Sequence, residues 1–407
     1  MPPILFGGPP VMLAAAVVFV IVQAAMLMVL LARLAPGRNR RPPVPPRLTP
    51  RTDTTVSVIV ATLNEARRIG PCLEGLMQQD RPLLEVLVVD SRSEDGTREL
   101  VQAAAHRDAR IRLLTDDPLP PGWVGKVWAL ETGRRAAQGT WILGIDADTI
   151  PAPGLVGAVI DAAEDGRYDV ASFSPQFTGQ RAAERFVQPA MLVTLVYRTG
   201  AAGAEQPADR VLANGQCFLV RRAVLDAHGG YVPARASFSD DVTLARHLAA
   251  EGARVGFLDG SRVIQVRAYD GLREMWREWG RSFDLKDATS RARGWMDVLL
   301  VWLVQALPLP VLVLMALCTG GHVWSANAWP DMPRWLQVAL LTVNGTALLV
   351  RLSMLSALRG SYAVRGIAYW CSWLADGAAA YRLALSMVRT PTAWRGRRYP
   401  PASGATM

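Results

Sequence analysis

The chain has 407 residues, 51% of them hydrophobic, with a mean hydropathy of +0.17 and a formal net charge of +9. That length allows more than one domain and a sizeable core, and the hydropathy is high for a soluble protein. The positive charge does not point to nucleic acid, because the arginines cluster beside apolar stretches, where anionic lipid head groups attract them.

Residues 11–32, "VMLAAAVVFVIVQAAMLMVLLA", carry no charge and are long enough to cross a bilayer. A cleaved signal peptide would be shorter and would follow a basic residue, so a retained anchor is expected over 1–33. Residues 34–51 hold Arg38, Arg40, Arg41, Arg47 and Arg51 with Pro42, Pro43, Pro45 and Pro46. This reads as a basic, semi-rigid linker. Positive charge marks the cytoplasmic side, which puts the N-terminus outside and the polar block 52–294 in the cytosol.

That block alternates strands and helices. "VSVIVATLNEA" is a strand that breaks at Asn64, and "RRIGPCLEGLMQQ" has helical spacing. "LLEVLVVD" is a buried strand ending at Asp90, "RELVQAAAHR" a helix, and "IRLLTDD" a third strand. "VWALETGRRAAQG" is a helix, and "WILGIDADTI" a fourth strand broken at Asp146. Such alternation predicts an α/β fold with a mostly parallel sheet and helices on both faces. Ligands then bind beyond the carboxyl ends of the strands, which here carry Asn64, Glu65, Asp90, Asp116, Asp117, Asp146 and Asp148.

Toward the C-terminus, 298–318 and 335–358 are further spans within a membrane region over 295–390. The stretch 366–388 is apolar but contains Asp376 and Arg382, each costing about 2.5–3.5 kcal/mol at bilayer depth. An interfacial or re-entrant segment is expected there, with the basic tail 391–407 in the cytosol. The competing expectation is an ordinary span whose polar residues face other helices. Cys72, Cys217, Cys318 and Cys371 form no C-x-x-C pair, which argues against a disulfide scaffold or zinc site.

Asp90 alone would suit a solvated turn. Asp146 and Asp148 are more pointed: in an extended segment side chains two apart face the same way. Paired carboxylates repel unless a cation lies between them, and Mg²⁺ or Mn²⁺ takes carboxylate and phosphate oxygens together. "SFSDDVTLARHL" opens a helix at Asp240 and Asp241, which the dipole alone favours. Asp241 is also placed to act as a base. In "PPGWVGKVWAL", Gly122 and Gly125 let the backbone bend toward a ligand, Lys126 suits a phosphate, and Trp123 and Trp128 border a sugar or sit in the core.

Six stretches in order, "VIVATLNEA", "VLVVDSRSEDGT", "GWVGKVWAL", "GIDADT", "NGQCFLVRR" and "SDDVTLARHL", resemble family 2 inverting glycosyltransferases with a GT-A-like domain. The resemblance covers residues 55–285. "PGWVGKVWAL" and "GLREMWREWGRSFDLKDA" are similar to the membrane-bound bacterial glucosyltransferases of carotenoids and hopanoid-associated lipids, and more distantly to ceramide glucosyltransferases. The resemblance implies that Asn64, Glu65 and Asp90 line a uridine pocket, with Lys126 and Asp146 on the donor. It implies Asp148, with Asp146, on Mg²⁺ or Mn²⁺, and Asp241 as the base. Asp240 stands where many members have Glu, and with Trp279 and Arg281 it would face acceptor or diphosphate. "EMWREWGRSFD" replaces the usual Q-x-x-R-W motif, which speaks against processive synthesis. An interfacial helix would equally explain its stripe of Trp276, Trp279 and Phe283.

The implied activity moves a hexose, glucose foremost, from a UDP-sugar to the hydroxyl of a membrane lipid such as a carotenoid. The expected partners are that donor, that acceptor and the bilayer, with no nucleic acid. The expected location is the cell membrane, multi-pass, with the catalytic domain cytosolic. The alternatives are transfer to polyprenyl phosphate, ceramide or diacylglycerol, and a non-catalytic membrane protein with a degenerate sugar-nucleotide domain.

Overall fold

The β-branched runs form the strands. In the computed structural model, which describes residues 9–48, 54–179, 181–267, 269, 271–318, 332–389, 393–394 and 397–399, they build one central sheet. Its strands are Val56–Thr62 (β1), Leu83–Asp90 (β2), Ile111–Thr115 (β3), Trp141–Ile145 (β4), Val170–Ser174 (β6), Cys217–Arg221 (β8) and Val255–Asp259 (β9). Their order is β3-β2-β1-β4-β8-β6-β9. The first four are parallel, β8 runs antiparallel to β4 and β6, and β6 and β9 are parallel. Thr149–Pro151 (β5), Ile264–Val266 (β10) and Gln176–Phe177 (β7) form a small second sheet beside it.

Alternation along each strand feeds two cores. Val58 and Val60 of β1 and Val86 and Val88 of β2 join one core, with Ile69–Met77 (α2), Thr97–Arg107 (α3) and Leu155–Asp165 (α5). Ile59, Leu87 and Val89 join the other, with Gly125–Ala136 (α4), Arg222–Ala227 (α7) and Asp240–Ala250 (α8). The strand ends expected to carry function therefore emerge along one edge, as the alternating pattern predicts.

Among the described residues two helical stretches are long and apolar enough to cross a membrane, Val11–Asn39 near the N-terminus and Arg334–Ala357. The regular α-helical part of the first is Pro9–Leu34 (α1), and Arg334–Ala357 is α12. At 1.5 Å per residue, the 26 residues of α1 reach about 39 Å, beyond the roughly 30 Å hydrocarbon core. The span expected at 298–318 starts earlier. Arg291–Val301 (α10) continues through a π turn to Ala306, and the chain bends by 41° into Pro308–Cys318 (α11). Pro308 lacks the N–H that would continue the ladder. Gln23 of α1 and Asn344 of α12 exchange amide hydrogen bonds of 2.8 and 3.1 Å, which fixes the register of the two helices.

The stretch 366–388 is not one helix. It divides into Gly366–Trp370 (α13), a 3₁₀ turn over Ser372–Ala375 and Asp376–Val388 (α14). Thirteen residues of α14 reach only about 20 Å. Asp376 is buried against Arg351 of α12 at 2.8 Å, whereas Arg382 donates to the Trp276 carbonyl at 2.7 Å and lies over that indole. Ala182–Thr199 (α6) and Leu272–Phe283 (α9) pack against α14 and join these apolar helices to the catalytic domain.

Tyr399 touches Gly125 of α4 through a 3.1 Å hydrogen bond, so the chain after α14 returns to the side of the sheet domain. Cysteines at Ser403 and at exposed Glu94 should therefore react together with a membrane-impermeant maleimide, in the same membrane orientation. Labelling of Ser403→Cys and Glu94→Cys from opposite faces would contradict that arrangement.

Candidate active site

One cavity of about 270 Å³ lies at the carboxyl ends of the strands. Asp146, Asp148, Lys126, Asp240 and Asp241 all line it, as do Glu65 and Arg281. The elements that bring them together are separate in sequence. Asp146 and Asp148 sit between β4 and β5, Lys126 in the first turn of α4, and Asp240 and Asp241 at the start of α8.

Lys126 is the hub. Its Nζ is 3.0 Å from Asp146 Oδ1 and 3.8 Å from Asp240 Oδ1. Burial pulls the ammonium down, but Asp146, Asp240 and Asp241 together outweigh it and hold Lys126 above its ordinary value. The lysine stands in a helix rather than in the loop expected from the sequence. Gly122 takes the left-handed conformation at φ 80° that turns the chain into that helix.

Asp241 is held by two backbone donors. Gly215 N–H reaches Oδ2 at 2.6 Å, and Val242 N–H reaches Oδ1 at 2.8 Å. Burial and the neighbouring charge of Asp240 push this carboxyl up to about 6, against the pull of Lys126 and the two amides. Asp240 is also raised, by burial first, with Lys126 opposing. A carboxyl poised near neutrality suits a general base. Gly215 was quoted in the sequence pattern without a role. A Cβ there would come within 2.9 Å of Lys126 Nζ and would displace the end of that side chain, whereas its 3.6 Å approach to Asp241 Oδ2 is ordinary contact.

The "DAD" residues do not lie in an extended segment. They form a turn after β4, with Thr149 donating N–H and Oγ1 to the Asp146 carbonyl at 3.2 and 2.8 Å. This corrects the argument from strand periodicity, although both carboxylates still reach one cavity. Among the described residues no three His, Cys, Asp or Glu side chains form a metal cage by themselves. Two hard carboxylates beside a cavity fit Mg²⁺ or Mn²⁺ whose remaining positions are taken by phosphate oxygens. Asp148 lines the same cavity as Asp146, and its backbone carbonyl accepts from Arg267 N–H at 3.1 Å.

Other expected residues are distributed differently. Glu65 lines the cavity. Asn64 is at φ 56° outside the cavity lining, and its Oδ1 accepts from Glu94 N–H at 2.9 Å. Asp90 is fully buried, also outside the lining, and holds Arg98 at 3.1 Å and Ser93 N–H at 3.1 Å. Both accept from backbone N–H groups of the segment between β2 and α3. Trp123 and Trp128 meet edge-on at 5.1 Å, Trp128 donates to the Asp116 carbonyl, and neither lines the cavity. They flank Lys126 in sequence, and Trp123 packs against the core shared by α4, α7 and α8. On α9, Trp279 and Arg281 line the cavity, Arg281 paired with Glu278, while Trp276 stacks on Tyr381 of α14. The aromatic stripe thus serves both the cavity wall and the packing on the apolar helices.

The sequence model of the family described as "Glycosyltransferase like family 2" matches residues 50–286. The chain belongs to that family. It is 30% identical over 115 residues to the uncharacterized glycosyltransferase EpsJ of Bacillus subtilis, covering 28% of this chain and 32% of the relative. It is 22% identical over 256 residues to 4,4'-diaponeurosporenoate glycosyltransferase of Staphylococcus haemolyticus, covering 62% of this chain and 67% of that protein. The chain spans 32%, 43% and 30% of the lengths of three curated relatives, EpsJ among them. The structure of mannosyltransferase PcManGT from Pyrobaculum calidifontis, in complex with GDP-Man and Mn²⁺, aligns with a TM-score of 0.51 at 21% identity. It covers 92% of this chain and 98% of that one, a likeness of fold. The family-2 domain has a GT-A-like α/β fold with a mostly parallel sheet.

Proposed function

We propose that this family 2 glycosyltransferase moves a hexose, glucose foremost, from a UDP-sugar to the hydroxyl of a neutral membrane lipid such as a carotenoid. One observation carries the reading. The cavity that holds the acids continues along Leu192, Leu195 and Val196 of α6 to Leu358 beside the apolar helices. An aqueous donor and an apolar acceptor then meet in one space, and the Arg-rich linker favours a cytosolic catalytic domain.

In the reaction the acceptor hydroxyl gives its proton to Asp241 as its oxygen bonds to the anomeric carbon. The bond from that carbon to the diphosphate breaks on the opposite side, so configuration inverts. The two amides that grip Asp241 fix its plane toward the incoming hydroxyl. Lys126 keeps Asp146 and Asp240 together beside the diphosphate. A divalent metal at Asp148 and Asp146 would offset the charge of the leaving group.

The cations nearest the acids are already engaged: Lys126 with Asp146, Arg281 with Glu278, and Arg68 with Glu274. This favours a neutral hydroxyl acceptor. Arg40 of the basic linker also lines the cavity and supports polyprenyl phosphate as the second reading.

Lipids from a host expressing the chain, supplied with a carotenoid alcohol or with polyprenyl phosphate, should show by mass spectrometry a new hexosyl lipid in the first case. UDP-glucose and GDP-mannose tested on purified protein assign the donor. Asp148→Asn should abolish turnover, and so should EDTA on the unchanged chain. Activity that survives saturating EDTA would remove the metal from the mechanism.

A further inference from the structure

The chain comes back over the active site after α14. Lys286 Nζ donates to the carbonyls of Ser386 at 2.8 Å and Arg389 at 2.6 Å, holding the end of that helix. Beyond it, Ala393–Trp394 pairs antiparallel with Arg397–Arg398. Trp394 is only 7% exposed and lines the catalytic cavity. Tyr399 Oη accepts from Gly125 N–H at 3.1 Å, and its ring meets Phe238 edge-on at 5.8 Å.

Those two contacts fall on the two segments that carry the chemistry. Gly125 precedes Lys126, and Phe238 stands two residues before Asp240. A Cβ on Gly125 would lie 2.6 Å from Tyr399 Oη and 3.3 Å from the Trp394 ring. Gly125 has no left-handed backbone to justify it. Its missing side chain makes room for the C-terminal hairpin.

We infer that this hairpin is a strap that positions the active site: Trp394 walls the cavity, and Tyr399 ties the Lys126 helix start to the segment before Asp240 and Asp241. The inference rests on reading the cavity as a sugar-nucleotide site. The strap is continuous with α14, which packs against α6, α9 and α10. The placement of the apolar helices is thereby coupled to the donor end of the cavity. A basic tail with no role would leave its aromatic residues in water. Here they are spent on the cavity wall, and the cost of ordering the segment is met by contacts with both loops.

The test compares the full chain with one ending at residue 390, both purified in detergent with UDP and Mn²⁺ as probe. Calorimetry should show UDP bound at least tenfold more weakly by the short chain. With UDP-glucose the KM should rise similarly, while kcat stays within about threefold, as loss of ground-state positioning predicts. Gly125→Ala should weaken UDP binding at least fivefold in the full chain and not at all further in the short chain. Equal UDP affinity in the two chains, or an equal Gly125→Ala loss in both, would overturn the strap. A full chain that binds neither UDP nor GDP would refute the reading of the cavity and the strap with it. Should the short chain not fold, a cycle of Gly125→Ala and Tyr399→Ala decides. Coupled residues give a double loss no larger than the greater single one, and additive losses refute the link.

Discussion

Asp241→Asn should cut turnover by roughly 100-fold or more, as loss of a general base does, with UDP affinity nearly unchanged. An amide at this position still accepts from one of the two backbone donors, Gly215 or Val242, so the loop keeps its shape, but it cannot take the acceptor's proton. The pH dependence follows from the same surroundings. Burial and Asp240 push Asp241 up to about 6, and only the ionised form acts as base. Activity should therefore fall as pH falls through about 6. Asp240→Asn removes the like charge, lowers the Asp241 value and moves that acid limb to lower pH. An active Asp241→Asn protein beside an inactive Asp240→Asn protein would reverse the two assignments.

What the sequence revealed of this site was chemical identity at strand ends and helix starts. Asp146 and Asp148 were legible as acids after a buried run, Lys126 as a lysine in a Gly-containing turn and Asp241 as an acid at a helix start, and the fold brings all four to one cavity. The manner of their meeting was not legible. The periodicity argument for Asp146 and Asp148 assumes a strand, and the chain turns there. Asn64 and Asp90 lie outside the cavity lining and hold the segment after β2, a placement that their position at strand ends does not reveal. Gly215 and Gly125 carry no signal by themselves, because the atoms a side chain would crowd, Lys126 Nζ at Gly215 and Tyr399 Oη at Gly125, lie far along the chain from each. Helix α6, with Pro189 inside it and polar residues at its start, lacks the apolar uniformity of a span and the simple stripe of a surface helix. It nonetheless forms the wall between the acids and the apolar helices. Long-range pairing of this kind depends on tertiary packing, which one sequence does not display.

The pair of Arg351 and Asp376 is the sharpest instance, and breaking it should have the largest effect on stability. Arg351 stands in the membrane-length helix α12 and is 1% exposed, and Asp376 is 4% exposed at the start of α14. Arg351 Nε reaches the two carboxylate oxygens at 2.9 and 2.8 Å, and Gln305 Nε2 reaches one of them at 3.0 Å. Gln305 in turn accepts from Thr194 Oγ1 of α6 at 3.0 Å. The group therefore pins α12, the π turn after α10, α6 and α14 to one another. Removing one partner strands the other charge away from water, which costs about 3–5 kcal/mol. Asp376→Asn and Arg351→Met should each lower the unfolding midpoint in detergent by several degrees. Replacing both, as Arg351→Met with Asp376→Leu, should recover most of that loss, because the desolvation penalty of both charges disappears together. A double variant as unstable as the sum of the singles would mean that each charge holds a different partner. Single variants with unchanged midpoints would mean that the pair does not secure α14. Since α14 leads into the hairpin that touches Gly125, the single variants should also weaken UDP binding, and the double variant should restore it.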